Sequence, residues 1–290
     1  MLSESEAPIP AWTELPEDLM ENILQRLSSE EILKSVEKVC TTWWRACKNP
    51  ALWRVVSVDH RRCTPFQFEY VVRAAARRGQ AQLVELKLYT VYSRVYCCAV
   101  LSHVAQRASQ LRRLTLSELE TTFFTRDLHN FPQLEELHLF VNQLLKLPQF
   151  ETIGVSCPML KSFTYACWYD YLDFAQFAQI ITKTMPNLRH LRLFVREMKV
   201  DGLEAILDGC PHLESLMLPQ SCGLDLQGPL GKRCARQIKH LWLHPDSSEF
   251  TFVGPDKQTL LFDNETASFG AAAVKKSYRK TITWYFLTAY

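Results

Sequence analysis

Seven copies of one hexapeptide pattern, L-x-x-L-x-L, restrict the fold of this chain more than any other feature. They read LVELKL (Leu83, Leu86, Leu88), LRRLTL (Leu111, Leu114, Leu116), LEELHL (Leu134, Leu137, Leu139) and LKSFTY (Leu160, Phe163, Tyr165). LRHLRL (Leu188, Leu191, Leu193), LESLML (Leu213, Leu216, Leu218) and IKHLWL (Ile238, Leu241, Leu243) complete the series. The first positions are separated by 28, 23, 26, 28, 25 and 25 residues. Self-similarity at such a period marks a repeat architecture, in which each unit buries its apolar face against its neighbours.

Within each copy the last two apolar residues alternate as a half-buried strand requires. Between copies the spacing turns helical. Leu203, Ile206, Leu207 and Cys210 fall at i, i+3, i+4 and i+7, as do Phe174, Phe177, Ala178 and Ile181. Cys97, Leu101, Val104 and Ala108 follow the same face. Three residues ahead of each copy after the first stand Ala108, Phe131, Cys157, Met185, Cys210 and Ala235, all apolar. Pro132, Pro158, Pro186 and Pro211 follow four of them, where proline ends a helix and turns the chain into the next strand. The expected fold class is therefore α/β, a solenoid with a parallel sheet on its concave face and helices on its convex face. The region resembles leucine-rich repeats of the cysteine-containing intracellular type, with Cys157-Pro158 and Cys210-Pro211 preceding strands. It departs from the pattern in residues 143–154, which carry Pro148 and read as a poor helix, and in LKSFTY, where aromatics replace two leucines.

Residues 15–53 have a different texture. Pro16, Glu17 and Asp18 suit a helix start, and Leu19, Ile23, Leu24 and Leu27 form one stripe. Ser28 to Glu31 fits a capping box for a second helix through Ile32 and Leu33. Val36, Val39, Cys40, Trp43 and Cys47 make a third stripe that stops at Asn49-Pro50. Three helices this short bury little area of their own, so an exposed stripe would be an interface. The segment resembles an F-box through Leu15-Pro16, Leu19, Ile23-Leu24, Leu27, Val39-Cys40, Trp43, Arg45 and Leu52-Trp53. Beyond it, Trp53, Val56 and Val58 mimic the repeat spacing and predict a degenerate first strand.

An F-box followed by leucine-rich repeats resembles the substrate receptors of cullin-RING ubiquitin ligases. That resemblance implies an F-box docked on a Skp-type adaptor and repeats that hold a client protein for ubiquitination, with the chemistry done by another subunit. The residues it assigns to adaptor contact are Leu15, Pro16, Leu19, Ile23, Leu24, Ile32, Val39 and Trp43. Client contact follows from strand alternation, which turns the residues flanking the pattern leucines to the concave face. Lys87, Tyr89, Arg113, His138, Phe140, Arg192, Phe194 and Trp242 are the candidates, because arginine and large aromatics are the usual interface anchors. A second reading stays open, a leucine-rich interaction scaffold whose helical module caps the solenoid and joins no ligase.

Composition narrows the remaining classes. With 33 Lys plus Arg against 31 Asp plus Glu, the net charge of +2 supplies no field for nucleic acid. No apolar run reaches membrane-spanning length, and the opening MLSESEAPIP is acidic where a signal peptide is basic, so cytoplasm or nucleus is expected. Ten cysteines include no C-x-x-C and no zinc-finger spacing, so no metal is expected and buried thiols are. Gly231-Lys232 is followed by Arg233 and fails as a phosphate loop. With no H-E-x-x-H, G-x-S-x-G or G-x-G-x-x-G, the expectation is a chain without catalytic residues or cofactor. Arg73, Arg77 and Arg78 read as the wet face of a helix over 66–79. The expected organisation is a flexible 1–11, a helical module at 12–53, a solenoid at 54–246, and a cap or irregular tail at 247–290.

Overall fold

Helix α1 (Glu17–Leu24) starts on Pro16 and carries Glu17 and Asp18 in its first turn, where carboxylates meet the positive end of the helix. The computed structural model describes residues 15–60, 63–89, 96–117, 125, 127–141, 144–167, 174–194, 198–219, 224, 228–244, 249–253 and 259–263. The chain divides into two units, residues 1–111 and 112–290.

In the first unit, α2 (Ser29–Lys34) forms under the expected capping box. The Glu31 amide donates to Ser28 Oγ at 3.2 Å and the Ser28 amide to Glu31 Oε2 at 2.8 Å. The third apolar stripe is not one helix. A 3-10 turn at Val36–Lys38 gives way to an extended Cys40 (φ −163°, ψ 176°), and only then does α3 (Thr41–Ala46) begin. Val39, Thr41 and Thr42 are β-branched and weaken helix continuity across Cys40. Beyond α3 the degenerate strand is present as β1 (Val55–Asp59), parallel to β2 (Glu85–Tyr89), with Val56 opposite Leu86 and Val58 opposite Leu88. Between them runs α4 (Pro65–Gly79), and after β2 comes α5 (Tyr96–Ala105).

The junction at residues 53–54 lies inside this unit and is tightly tied. Trp53 is fully buried and its indole N–H donates to the Cys47 carbonyl at 2.9 Å. Buried Glu30 of α2 accepts the Asp59 amide of β1 at 2.9 Å. Arg78 lies over the Trp53 ring, 5.1 Å from its centroid, and pairs with Glu37. It is therefore not part of the wet face expected for it. The last turn of α4 passes so close to Trp53 that a Cβ on Gly79 would sit 2.8 Å from the Trp53 carbonyl oxygen, which sets Arg78 beside the indole.

The second unit stacks β3 (Arg113–Ser117), β4 (Glu136–Val141), β5 (Ser162–Cys167), β6 (His190–Phe194), β7 (Ser215–Pro219) and β8 (His240–His244) into a parallel sheet in that order. Register follows the motif: Leu114, Leu137, Phe163, Leu191, Leu216 and Leu241 lie side by side. The helices α6 (Leu147–Ser156), α7 (Phe174–Thr184), α8 (Val200–Gly209) and α9 (Pro229–Gln237) supply the other half of the core. The shortest repeat interval, between Leu111 and Leu134, contains a 3-10 turn at Leu128–Asn130.

Two expectations about this region need correction. Residues 143–154 do contain a helix, because Pro148 sits in the first turn of α6, where a missing N–H costs nothing. The packing position before the last strand is held by Cys234, which is buried, while Ala235 is exposed; α9 runs straight into β8 without the proline turn of earlier repeats. The aromatic repeat is also accounted for. Phe163 and Tyr165 are fully buried, Phe150 meets Tyr165 edge-on at 4.9 Å and Phe177 at 4.8 Å, and the Tyr165 hydroxyl accepts the Leu145 amide at 3.3 Å.

Neighbouring helices approach through glycine. A Cβ on Gly202 of α8 would lie 2.4 Å from Cδ1 of buried Phe174, and one on Gly209 would lie 2.2 Å from Thr182 Cβ. Gly202→Ala is therefore expected to destabilise the repeats by roughly 1–3 kcal/mol, although alanine favours an isolated helix. A denaturant titration showing a gain in stability would contradict this packing.

After β8, EFTFV forms β9 (Glu249–Val253), which pairs antiparallel with β10 (Thr259–Asp263). The segment TITWYFLTAY lies outside the described residues.

Candidate functional site

The core of the helical module is built from Met20, Leu24, Ile32, Leu33, Val36, Cys47 and Trp53, each at most 6% exposed. Among the residues expected to contact an adaptor, Leu24 and Ile32 thus lie inside the module, where they support the surface without forming it. Leu19 and Val39 are on the outside, 50% and 57% exposed, and Pro16 is exposed too. Leu15, Ile23 and Trp43 are half-buried. Leu19 and Ile23 are spaced four apart and share one side of α1, and Leu15 lies two residues ahead of its start. Trp44 is a further exposed apolar side chain that periodicity did not single out, with the Lys48 ammonium 3.3 Å from its ring centroid. Its signal was the doubled tryptophan in α3.

A second surface lies on the sheet face opposite the helices. In the second unit the register forms the row Thr115, His138, Thr164, Arg192, Met217 and Trp242. His138 is buried, with Nδ1 2.8 Å from Thr164 Oγ1 and Nε2 3.7 Å from Glu136 Oε2. The adjacent His138, then the charges of Arg113 and Arg192, hold the Glu136 carboxyl below its ordinary range against the opposing pull of burial. Burial and the Arg192 charge push the His190 imidazole down, offset in part by Glu214 and Glu136. Arg113 and Arg192 are half-buried, so this part of the face is a compensated polar cluster. Towards β8 the row turns apolar, ending on Trp242 at 58% exposure.

Three aromatics expected to project from this face do not. Tyr89 of β2 is 8% exposed, Phe140 2% and Phe194 7%. Phe140 stands between Ser117 and Ala166, and Ala166 between Phe140 and Phe194, so each phenylalanine has a small neighbour to lean across, while Tyr89 lies beside Asp59. Lys87, on the first unit's sheet, is half-buried and pairs with Glu85 at 3.1 Å. Of the expected anchors, Trp242 projects fully, while Arg113 and Arg192 reach the surface in part. Glu136, Thr164 and His190 joined the cluster without having been singled out; their signal was adjacency to His138 and Arg192 once the repeats are aligned in register.

Among the described cysteines, Cys47, Cys157, Cys210 and Cys234 are buried. Burial pushes the thiols of Cys47 and Cys210 up to about 11 and that of Cys157 up to about 12. They stay protonated and pack as small apolar groups. Among the described helices none is long and apolar enough to cross a membrane.

Comparison with known proteins matches both the helical module and the repeats. The F-box-like family model matches residues 12–59, and a model described as FBD-associated F-box protein At5g56370, LRR repeats, matches residues 155–229. Putative F-box/LRR-repeat protein 22 of Arabidopsis thaliana is 33% identical over 283 residues, covering 93% of this chain and 91% of that protein. Putative F-box/LRR-repeat protein 9 of the same plant is 32% identical over 251 residues, 80% of this chain and all of that protein. F-box protein SKIP19, also from Arabidopsis thaliana, is 33% identical over 243 residues, 82% of this chain and 78% of its own length. With a helical module and repeats matched in the same order as in relatives that share nearly its whole length, this chain belongs to the F-box/LRR-repeat protein family.

Proposed function

We propose that this chain is the substrate-recognition subunit of a cullin-RING ubiquitin ligase, acting in the cytoplasm or nucleus. Its F-box docks on a Skp-type adaptor and its repeats hold a client protein. The chain supplies proximity, raising the effective concentration of a client lysine near the conjugating enzyme, and itself breaks no bond.

The observation that supports this reading is an apolar surface the module does not need. Its core is complete without Leu19 and Val39, yet both are half or more exposed. A module that only capped the repeats would have no use for them. On the repeats, a client segment lying across the strands would meet the half-buried Arg192, then Met217, then the Trp242 indole. An acidic residue followed by apolar ones is the chemistry that row accepts.

Full-length chain captured on purified Skp-type adaptor tests the first half. Leu19→Asp combined with Val39→Asp is expected to weaken capture by more than about thirtyfold, because two charges would enter an apolar interface. Both side chains are exposed, so the thermal midpoint should hold. Wild-type chain that fails to bind the adaptor would favour the interaction scaffold outside a ligase, and capture unchanged in the double variant would displace the proposed contact surface. Proximity labelling with and without Arg192→Ala and Trp242→Ala reads the client side.

A further inference from the structure

Three arginines of the first unit gather around His103, and among the described residues one of them, Arg73, meets a carboxylate. Helix α4 places Glu69, Arg73 and Arg77 at successive i, i+4 positions, and α5 presents His103 in its last turn, with Arg107 four residues further on. Arg73 Nη1 lies 3.1 Å from His103 Nδ1, and Arg107 Nη1 lies 3.4 Å from the same nitrogen. A guanidinium has only donors, so Nδ1 must accept from both and the ring proton sits on Nε2. That Nε2 is buried and meets no hydrogen-bond partner among the described residues. Burial, then the charges of Arg107, Arg73 and Arg77, push the imidazole below its ordinary pKa, offset in part by the Arg73 backbone, which keeps the acceptor lone pair available.

Among the described residues one carboxylate joins this group, Glu69, whose Oε1 accepts from Arg73 Nε at 2.7 Å. Arg77 donates to the Arg73 carbonyl, and Arg107 to the His103 carbonyl and Gln106 Oε1; neither meets a carboxylate among the described residues. Cations on the repeats are treated differently. Arg112 and Lys161 share Glu135, and Arg189 and Lys239 share Glu214. Beside α4 and α5, by contrast, a neutral imidazole holds two like charges together, and Arg77 and Arg107 are exposed.

We propose that Arg73, Arg77 and Arg107, aligned by His103, form a binding site for a phosphoryl group. A phosphoryl dianion is tetrahedral and offers three terminal oxygens, so it can accept from guanidiniums that approach from α4 and from the turn after α5. A planar carboxylate satisfies one fork at a time. His103 is a positioning residue that orients the two forks. The site shares no residue with the proposed adaptor and client contacts and does not depend on the proposed ligase role.

Calorimetric titration of the full-length chain with inorganic phosphate and with a phosphoserine peptide tests the site, using chloride at matched ionic strength as the control. Saturable binding is expected, weakened about tenfold or more by Arg107→Gln, since each charge-assisted hydrogen bond is worth more than a neutral one. Arg107 is exposed, so this variant should keep its thermal midpoint. His103→Ala should weaken binding as well, and His103→Asn, which keeps an acceptor, should restore part of it. Arg112→Gln, whose cation is already paired, should bind as wild type. Tighter binding of the phosphoserine peptide than of phosphate would identify a phosphorylated protein as the source of the group; equal or weaker binding would identify small phosphate compounds. The proposal fails if neither probe saturates, if chloride displaces both equally, or if Arg107→Gln leaves affinity unchanged.

Discussion

Replacing Trp53 with alanine is expected to remove roughly 3–5 kcal/mol from the stability of the first unit. The indole is fully buried, its N–H satisfies the Cys47 carbonyl at 2.9 Å, and its face carries the Arg78 guanidinium at 5.1 Å. Its removal would leave a cavity between the helical module and β1. It would also strand an acceptor and wet one side of the Arg78–Glu37 pair, neither inner atom of which has another hydrogen-bond partner. Domains are commonly stable by only about 5–15 kcal/mol, so this loss would move a large share of the unit towards unfolding. Trp53→Phe keeps most of the volume and forfeits the hydrogen bond, and should cost about 1 kcal/mol. Denaturant titrations of the two variants separate packing from hydrogen bonding. A Trp53→Ala chain as stable as wild type would mean that the module and the first strand are not joined through this residue.

In the second unit the largest loss is expected from Phe150→Ala, again roughly 3–5 kcal/mol. This ring is fully buried and lies edge-on to Tyr165 and Phe177, so deletion removes two aromatic contacts along with the buried area. A sharper test is Tyr165→Leu, which restores the leucine that the repeat pattern calls for. By pattern it should be neutral or favourable. By structure it should cost about 1–3 kcal/mol, because the Leu145 amide loses its acceptor in a site from which water is excluded. Thermal unfolding of the full chain decides between the two.

That contrast shows where legibility stopped. The repeat leucines, their register and the helices at Phe174–Thr184 and Val200–Gly209 follow from spacing, since a solenoid unit contacts its neighbours in sequence. The Ser28–Glu31 capping box was equally readable, because both partners lie within one turn. Pro148 misled, because a proline reads as a breaker until the first helical residue is located.

The sequence by itself determined the architecture, the family resemblance and the apolar stripes of the module. Only the tertiary structure decided which members of each stripe face outward. Leu24 and Leu19 belong to the same helical period, yet one is sealed and the other half exposed. Phe140 and Trp242 occupy equivalent faces of their strands, yet one ring is covered and the other is open. Arg73 and Arg78 are close in sequence on α4, yet one meets His103 and the other pairs with Glu37 over Trp53. Periodicity reports the direction in which a side chain leaves its own backbone, whereas exposure and pairing depend on what a distant part of the chain places in front of it.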